Sequence, residues 1–161
     1  MFKSITCRFF LAFTLSFVSY AVASSTTGSV KVTSVSAAFD EVKDRVIFAV
    51  ESQGLVVDHV SDVGGMLKRT GEDLGDPERL YDKAQVLEFC SALFSRNMAR
   101  VARELLAYCP YGIAIYNLPN NLDSTYIAYK VISPNINDPE VRKVLEDVEL
   151  LLSDIVEEAS M

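Results

Sequence analysis

Residues 138–158 constrain the fold more than any other stretch of this chain. Asp138 is a good helix N-cap, Pro139 fits the first helical position, and Glu140 favours the positive end of a helix dipole. Val141, Val144, Leu145, Val148, Leu151, Leu152, Ile155 and Val156 then recur at helical spacing. This predicts a C-terminal helix over 139–158 with one wide apolar stripe. A stripe of that width faces a protein core, whereas a coiled-coil seam is narrower. The rest of the chain must therefore supply an apolar surface for it. Glu157 and Glu158 oppose the dipole, so the last turn is expected to fray.

The surface it needs is a sheet. Val30, Val32 and Val35, alternating with polar residues, read as a first strand. Phe39, Val42, Val46, Ala49 and Val50 then share one helical face, and Gly54 follows as a C′ residue free to take positive φ. Residues 55–60 read as a second strand. The stretch 62–75 is ambiguous, because Gly64, Gly65 and Gly71 weaken a helix that Met66 and Leu67 would otherwise suggest. An acidic stretch, 73–82, reads as a solvated loop. Strands are expected at 84–89, 112–117 and 125–132, with a turn over 118–123. Between the first two of these, Ser91 can cap a helix whose buried face is Phe94, Met98, Val101, Ala102, Leu105 and Leu106. The expectation is an α+β fold: a mostly antiparallel sheet of about five strands with helices packed on one face.

The first 23 residues read as a segment apart. Lys3 and Arg8 precede the uncharged run 9–23, which ends in Ala21-Val22-Ala23. Basic start, apolar middle and small-residue exit predict a cleaved signal peptide over 1–23 and a periplasmic or secreted protein. The run is shorter than a spanning helix needs. Residues 24–29 then form a small, polar, flexible leader, and 30–161 a single domain. Removing Lys3 and Arg8 and no acid takes the formal charge from −7 to −9. So acidic a domain repels nucleic acid and anionic lipid. No second long apolar run exists, so no stable membrane insertion is expected once the signal is gone. Cys7 leaves with the signal.

Two cysteines remain. Cys90 falls where a strand hands over to a helix, beside the capping Ser91, and a helix N-terminus pushes a thiol toward thiolate. Arg96 would add to this if it folded back. The alternative is a buried cysteine acting as a small hydrophobe. Cys109 follows the same helix, and Pro110 and Tyr111 follow it. A continuous helix over 92–106 would rise roughly 22 Å, whereas a bridge needs Cα atoms within about 7 Å. On that geometry the pair does not meet within one chain unless the helix is short and the chain doubles back through 103–108. The oxidising compartment argues the other way, and a meeting across a homodimer would satisfy both.

Other chemistry is sparse. His59 is the only histidine, and two thiols with one histidine are too few for a closed zinc site. A Cys-Pro dipeptide can serve haem as an axial thiolate, so thiolate-bound haem or metal stays open as an option, although no cofactor is required. No nucleophile elbow, phosphate loop, Cys-x-x-Cys or dinucleotide fingerprint occurs, and no complete catalytic set is visible. Tyr108, Tyr111, Tyr116, Tyr126 and Tyr129 gather around the last strands as a pocket lining or as packing. Three readings stand: a module binding a small ligand or an exported protein partner through a functional cysteine pair, a thiol-redox or sulfur-handling protein, and a structural disulfide.

From about Val30 to Val131 the chain resembles a bacterial family, the domain of unknown function 302. The likeness is most specific in Phe89-Cys90-Ser91-Ala92, Ser95-Arg96 and Cys109-Pro110-Tyr111, then in the strand 112–116 and the paired Tyr126 and Tyr129. Gln53-Gly54-Leu55-Val56-Val57 and His59-Val60 add to it. The resemblance implies a compact α+β domain, often dimeric, with both cysteines present in exported relatives. It implies no activity. Where those relatives often carry an Asp-Pro turn, this chain has Arg103-Glu104-Leu105-Leu106, which reads as more helical.

Overall fold

Six strands form one antiparallel sheet in the computed structural model, which describes residues 24–132 and 136–161. In chain order the elements are β1 (Ser24–Thr27), β2 (Val30–Val35), α1 (Phe39–Ser52), β3 (Val57–Ser61), α2 (Val63–Asp73), β4 (Lys83–Phe89), α3 (Ala92–Val101), a 3-10 turn (Arg103–Tyr108), β5 (Tyr111–Leu118), β6 (Asn121–Lys130) and α4 (Pro139–Ser160). The strand order is β1-β2-β6-β5-β4-β3. The predicted signal at 1–23 lies outside the described residues.

Alternation along the central strands decides where the core sits. Leu87 and Phe89 of β4, Tyr111, Ile113 and Ile115 of β5, Ile127 and Tyr129 of β6, and Val35 of β2 point to one face and are buried. The register aligns them, with Leu87 opposite Ile113 and Ile115 opposite Ile127. Val42, Val46, Ala49 and Val50 of α1 close over this face, together with Leu145, Val148, Leu152, Ile155 and Val156 of α4. The stripe read in α4 is thus the inner wall of a two-layer domain.

α4 starts as its sequence predicts. The Asp138 carboxylate accepts from the Glu140 and Val141 amides at 2.8 and 3.1 Å. Its end does not fray: the helix runs to Ser160, Ala159 is buried, and Ser52 Oγ donates to the Glu158 carboxylate at 2.8 Å. Packing against α1 outweighs an unfavourable dipole term of the order of 0.3–1 kcal/mol.

Two other expectations change. The leader predicted over 24–29 contains the edge strand β1, paired to β2 with Ser24 opposite Thr33. Small polar residues carry no alternation signal, so nothing in the sequence marked it. The ambiguous stretch 62–75 is helical, opened by Asp62 accepting from the Gly65 amide at 3.0 Å. Its glycines answer to space: a Cβ on Gly64 would come within 2.7 Å of the Ala84 backbone nitrogen. Ala84 has the opposite parity to Leu87 and Phe89, so α2 sits on the far face of the sheet from α1 and α4. Among the described residues, no helix is long and apolar enough to cross a membrane.

Candidate functional site

Phe89 ends β4 with its side chain buried in the core, and the chain turns at Cys90. Ser91 is extended, 4% exposed, and its Oγ accepts from the Phe94 amide at 3.4 Å, capping α3 as expected. α3 then stops early. Ala102 is extended, at φ −151° and ψ 130°, and its amide still reaches the Met98 carbonyl at 2.9 Å. From there the 3-10 turn brings the chain back. Leu105 goes into the core and Leu106 stays 63% exposed, so the apolar face read over 92–106 is not one continuous helical face.

That reversal brings the cysteines together. Cys90 and Cys109 form an intrachain disulfide with Cα atoms 6.0 Å apart. The expectation that they lie a helix length apart is corrected. The helix is 10 residues long, and its C-terminal neighbour doubles back through 103–108. No partner subunit is needed for the bridge. The Cys109–Pro110 peptide is cis. In the bridged form neither sulfur is a thiolate, so neither is available to a metal or haem.

Ser95 is the residue the sequence reading did not assign a role. One turn into α3, its hydroxyl donates to Cys109 Sγ at 3.6 Å. Tyr111 is buried at 3% exposure, its ring edge-on to Phe89 with centroids 5.9 Å apart. Its buried hydroxyl has no fully formed hydrogen bond. Burial pushes the Tyr111 pKa up, and the neighbouring Ser95 side chain pulls it partly back. Phe89, Cys90, Ser95, Cys109 and Tyr111 are therefore one cluster. The sequence signal that could have added Ser95 to the two cysteines is its four-residue spacing from Ser91, which puts both on the same side of α3. Of the other candidates, Pro110 is exposed beside the bridge. Arg96 is exposed on α3, with no hydrogen bond or ion pair among the described residues.

The same end of the domain carries a groove of about 510 Å³. Gln53, Gly54 and Leu55 after α1, Ser91 to Phe94 at the start of α3, and Asp147, Leu150, Leu151 and Asp154 of α4 line it. Leu93 and Leu150 stand on its rim at 65% and 59% exposure. Gly54 has φ +71°, which turns the chain sharply out of α1 to form one wall. His59 is exposed on β3, opposite Glu88 of β4, and no group of three or more metal-ligating side chains occurs among the described residues. The tyrosines divide: Tyr116 and Tyr126 stack at 5.1 Å with Tyr81 edge-on at 5.4 Å, on the sheet face away from the bridge cluster. Tyr129 is buried on the core side.

Comparison with known proteins agrees with this architecture. No curated protein matches the chain. A crystal structure of an uncharacterized conserved DUF302 protein from Bacillus stearothermophilus superposes with a TM-score of 0.66 at 17% identity, covering 83% of this chain and 99% of that one. At that identity the likeness speaks for the fold. The family model for the domain of unknown function DUF302 matches residues 30–159. With that match spanning most of its length, the chain belongs to the DUF302 family.

Proposed function

We propose that this is an exported, periplasmic or secreted, binding module, whose ligand or partner segment lies in the groove beside the Cys90–Cys109 bridge. The observation that carries the reading is adjacency. The residue after Cys90 opens the groove wall, so the bridge fixes the position of Ser91 to Phe94. Leu93 and Leu150 offer apolar surface, and Asp154 is exposed with no partner among the described residues. Apolar lips beside a free carboxylate suit an occupant with an apolar body and a positive charge. Short leucine–arginine peptides should shift the amide resonances of Gly54, Leu93 and Leu150, and leucine–glutamate peptides should leave them in place. Equal responses from both, or none, sink the reading. Cys90→Ser should weaken the leucine–arginine response; unchanged binding removes the bridge from the function.

The module works as a homodimer in this reading, through the part of the sheet face opposite α1 and α4 that α2, packed on β4 at Ala84, does not cover. There Ala114 and Ala128 sit opposite each other at the centre, and Glu88 lies beside Gly112. The β5–β6 register, continued one step, puts Lys130 on the other side of Gly112. Glu88 and Lys130 have no ion-pair partner among the described residues. A two-fold axis along β5 would set each Glu88 over the second copy's Lys130. The small alanines would allow the sheets to approach closely.

A second reading, thiol–disulfide chemistry, is favoured by the Ser95 hydroxyl on the Cys109 sulfur.

A further inference from the structure

We propose that the bridge is polarised: Cys90 is the sulfur that an incoming thiol attacks, and Cys109 is the sulfur that leaves. This rests on the thiol–disulfide reading above and adds a direction to it. A donor that meets a neutral disulfide sulfur weakly meets a thiolate strongly, because charge-assisted hydrogen bonds are the stronger class. Ser95 Oγ stands 3.6 Å from Cys109 Sγ and is its donor. Among the described residues Cys90 Sγ has no such donor. The difference acts where charge develops, on the departing sulfur.

Tyr111 extends the arrangement. Its hydroxyl is buried, lacks a complete hydrogen bond, and lies by Ser95. Once the Ser95 proton is committed to a thiolate, the Ser95 oxygen is a better acceptor, and the Tyr111 hydroxyl gains the partner it lacks. Tyr111 to Ser95 to Cys109 is then a short chain of donors. Both hydroxyls are positioning groups for the departing sulfur. The reading of Cys90 as the favoured thiolate, taken from its place before the α3 cap, is reversed by this geometry. The thiolate is held at Cys109, by the Ser95 hydroxyl one turn into α3.

The exchange balances as follows. A thiolate of a small-molecule or protein thiol attacks Cys90 Sγ. A new sulfur–sulfur bond forms there, the Cys90–Cys109 bond breaks, and its electron pair leaves on Cys109 Sγ as thiolate. A second thiolate then attacks the outer sulfur of the mixed disulfide and releases Cys90 as thiolate. Solvent supplies the two protons that give the dithiol. Two electrons have passed from two thiols, which depart joined as a disulfide.

The experiment uses reduced glutathione as the probe on the folded, bridged protein, with an acid quench, maleimide capping of released thiols and peptide mass spectrometry. Glutathione should be found on Cys90 and maleimide on Cys109. In the Cys90→Ser variant the Cys109 thiol should titrate below the ordinary cysteine value of about 8.5, and adding Ser95→Ala should raise it. Ser95→Ala and Tyr111→Phe in the bridged protein should slow cleavage, Ser95→Ala by about three-fold or more, with the circular dichroism spectrum unchanged. Glutathione on Cys109, or shared equally between the two, overturns the polarity and leaves the thiol reading standing. A bridge that glutathione opens only when the protein is unfolded overturns both.

Discussion

The Tyr129 hydroxyl donates to the Glu149 carboxylate at 3.0 Å, and the other oxygen of the same carboxylate accepts from the Ile132 amide at 2.8 Å. One side chain of α4 thus ties β6 and the residue that leaves it to the helix. The arrangement needs Tyr129 neutral. Burial, reinforced by the hydrogen bond and the negative charge of Glu149, pushes the Tyr129 pKa up to about 12.

The pH consequence follows in sign. An unfolded tyrosine ionises near 10, and the folded one holds its proton to about 12. The stability this contributes is fully present below pH 10 and is lost as the pH rises toward 12. Denaturant midpoints measured from pH 9 to pH 12 should therefore fall for the native chain. In Tyr129→Phe this component of the fall should vanish. A variant with an identical alkaline profile would refute the coupling.

The bridge should matter to stability whatever its chemistry. It joins residues 19 apart, and a loop of that size is worth about 3 kcal/mol. Replacing both cysteines with serine should lower the urea midpoint by a corresponding amount. Reduction of the native protein should reproduce most of that loss, because it removes the same constraint from the unfolded chain. A change below about 1 kcal/mol would mean that the folded 3-10 turn holds itself in place without the bridge.

Gly64→Ala should cost stability despite the higher helix propensity of alanine. Propensity alone would predict a gain of up to about 1 kcal/mol. The added Cβ instead meets the Ala84 backbone nitrogen at 2.7 Å, and backbone gives way poorly. Overpacking of this kind costs about 1–3 kcal/mol. Thermal unfolding decides between the two signs.

Charge reversal tests the proposed pairing of sheet faces. Lys130→Glu should put like charges opposite each other and shift the protein toward monomer in sedimentation equilibrium. Glu88→Lys should do the same, and the double variant should restore association. A native chain that sediments as a monomer at every concentration would end that part of the proposal.

The fold was largely legible because its signals are local and periodic. The Asp138-Pro139-Glu140 start and the stripe from Val141 to Val156 specify a helix and its buried side together. The alternation in 112–117 specifies a strand facing a core. Where signals were absent, the reading failed for identifiable reasons. Ser24–Thr27 gains its strand from the free edge of β2, which its own residues do not announce. α2 tolerates three glycines because Asp62 caps it and because Gly64 needs to be small against Ala84.

The site divides the same way. Its composition was in the chain: a thiol beside a helix cap, a second thiol before a proline, and an aromatic after it. Its geometry was not. Leu105 and Leu106 both fit the apolar face of a longer helix, and only the competition for space in the core buries one and turns the other outward. The extended conformation at Ala102 follows from that competition, and it turns a predicted separation of a helix length into a bond. Sequence determined the elements, because hydrogen bonding and periodic burial act between near neighbours. Tertiary structure alone decided which sulfur meets which, and that Ser95 stands beside one of them, because those contacts depend on where packing ends a helix.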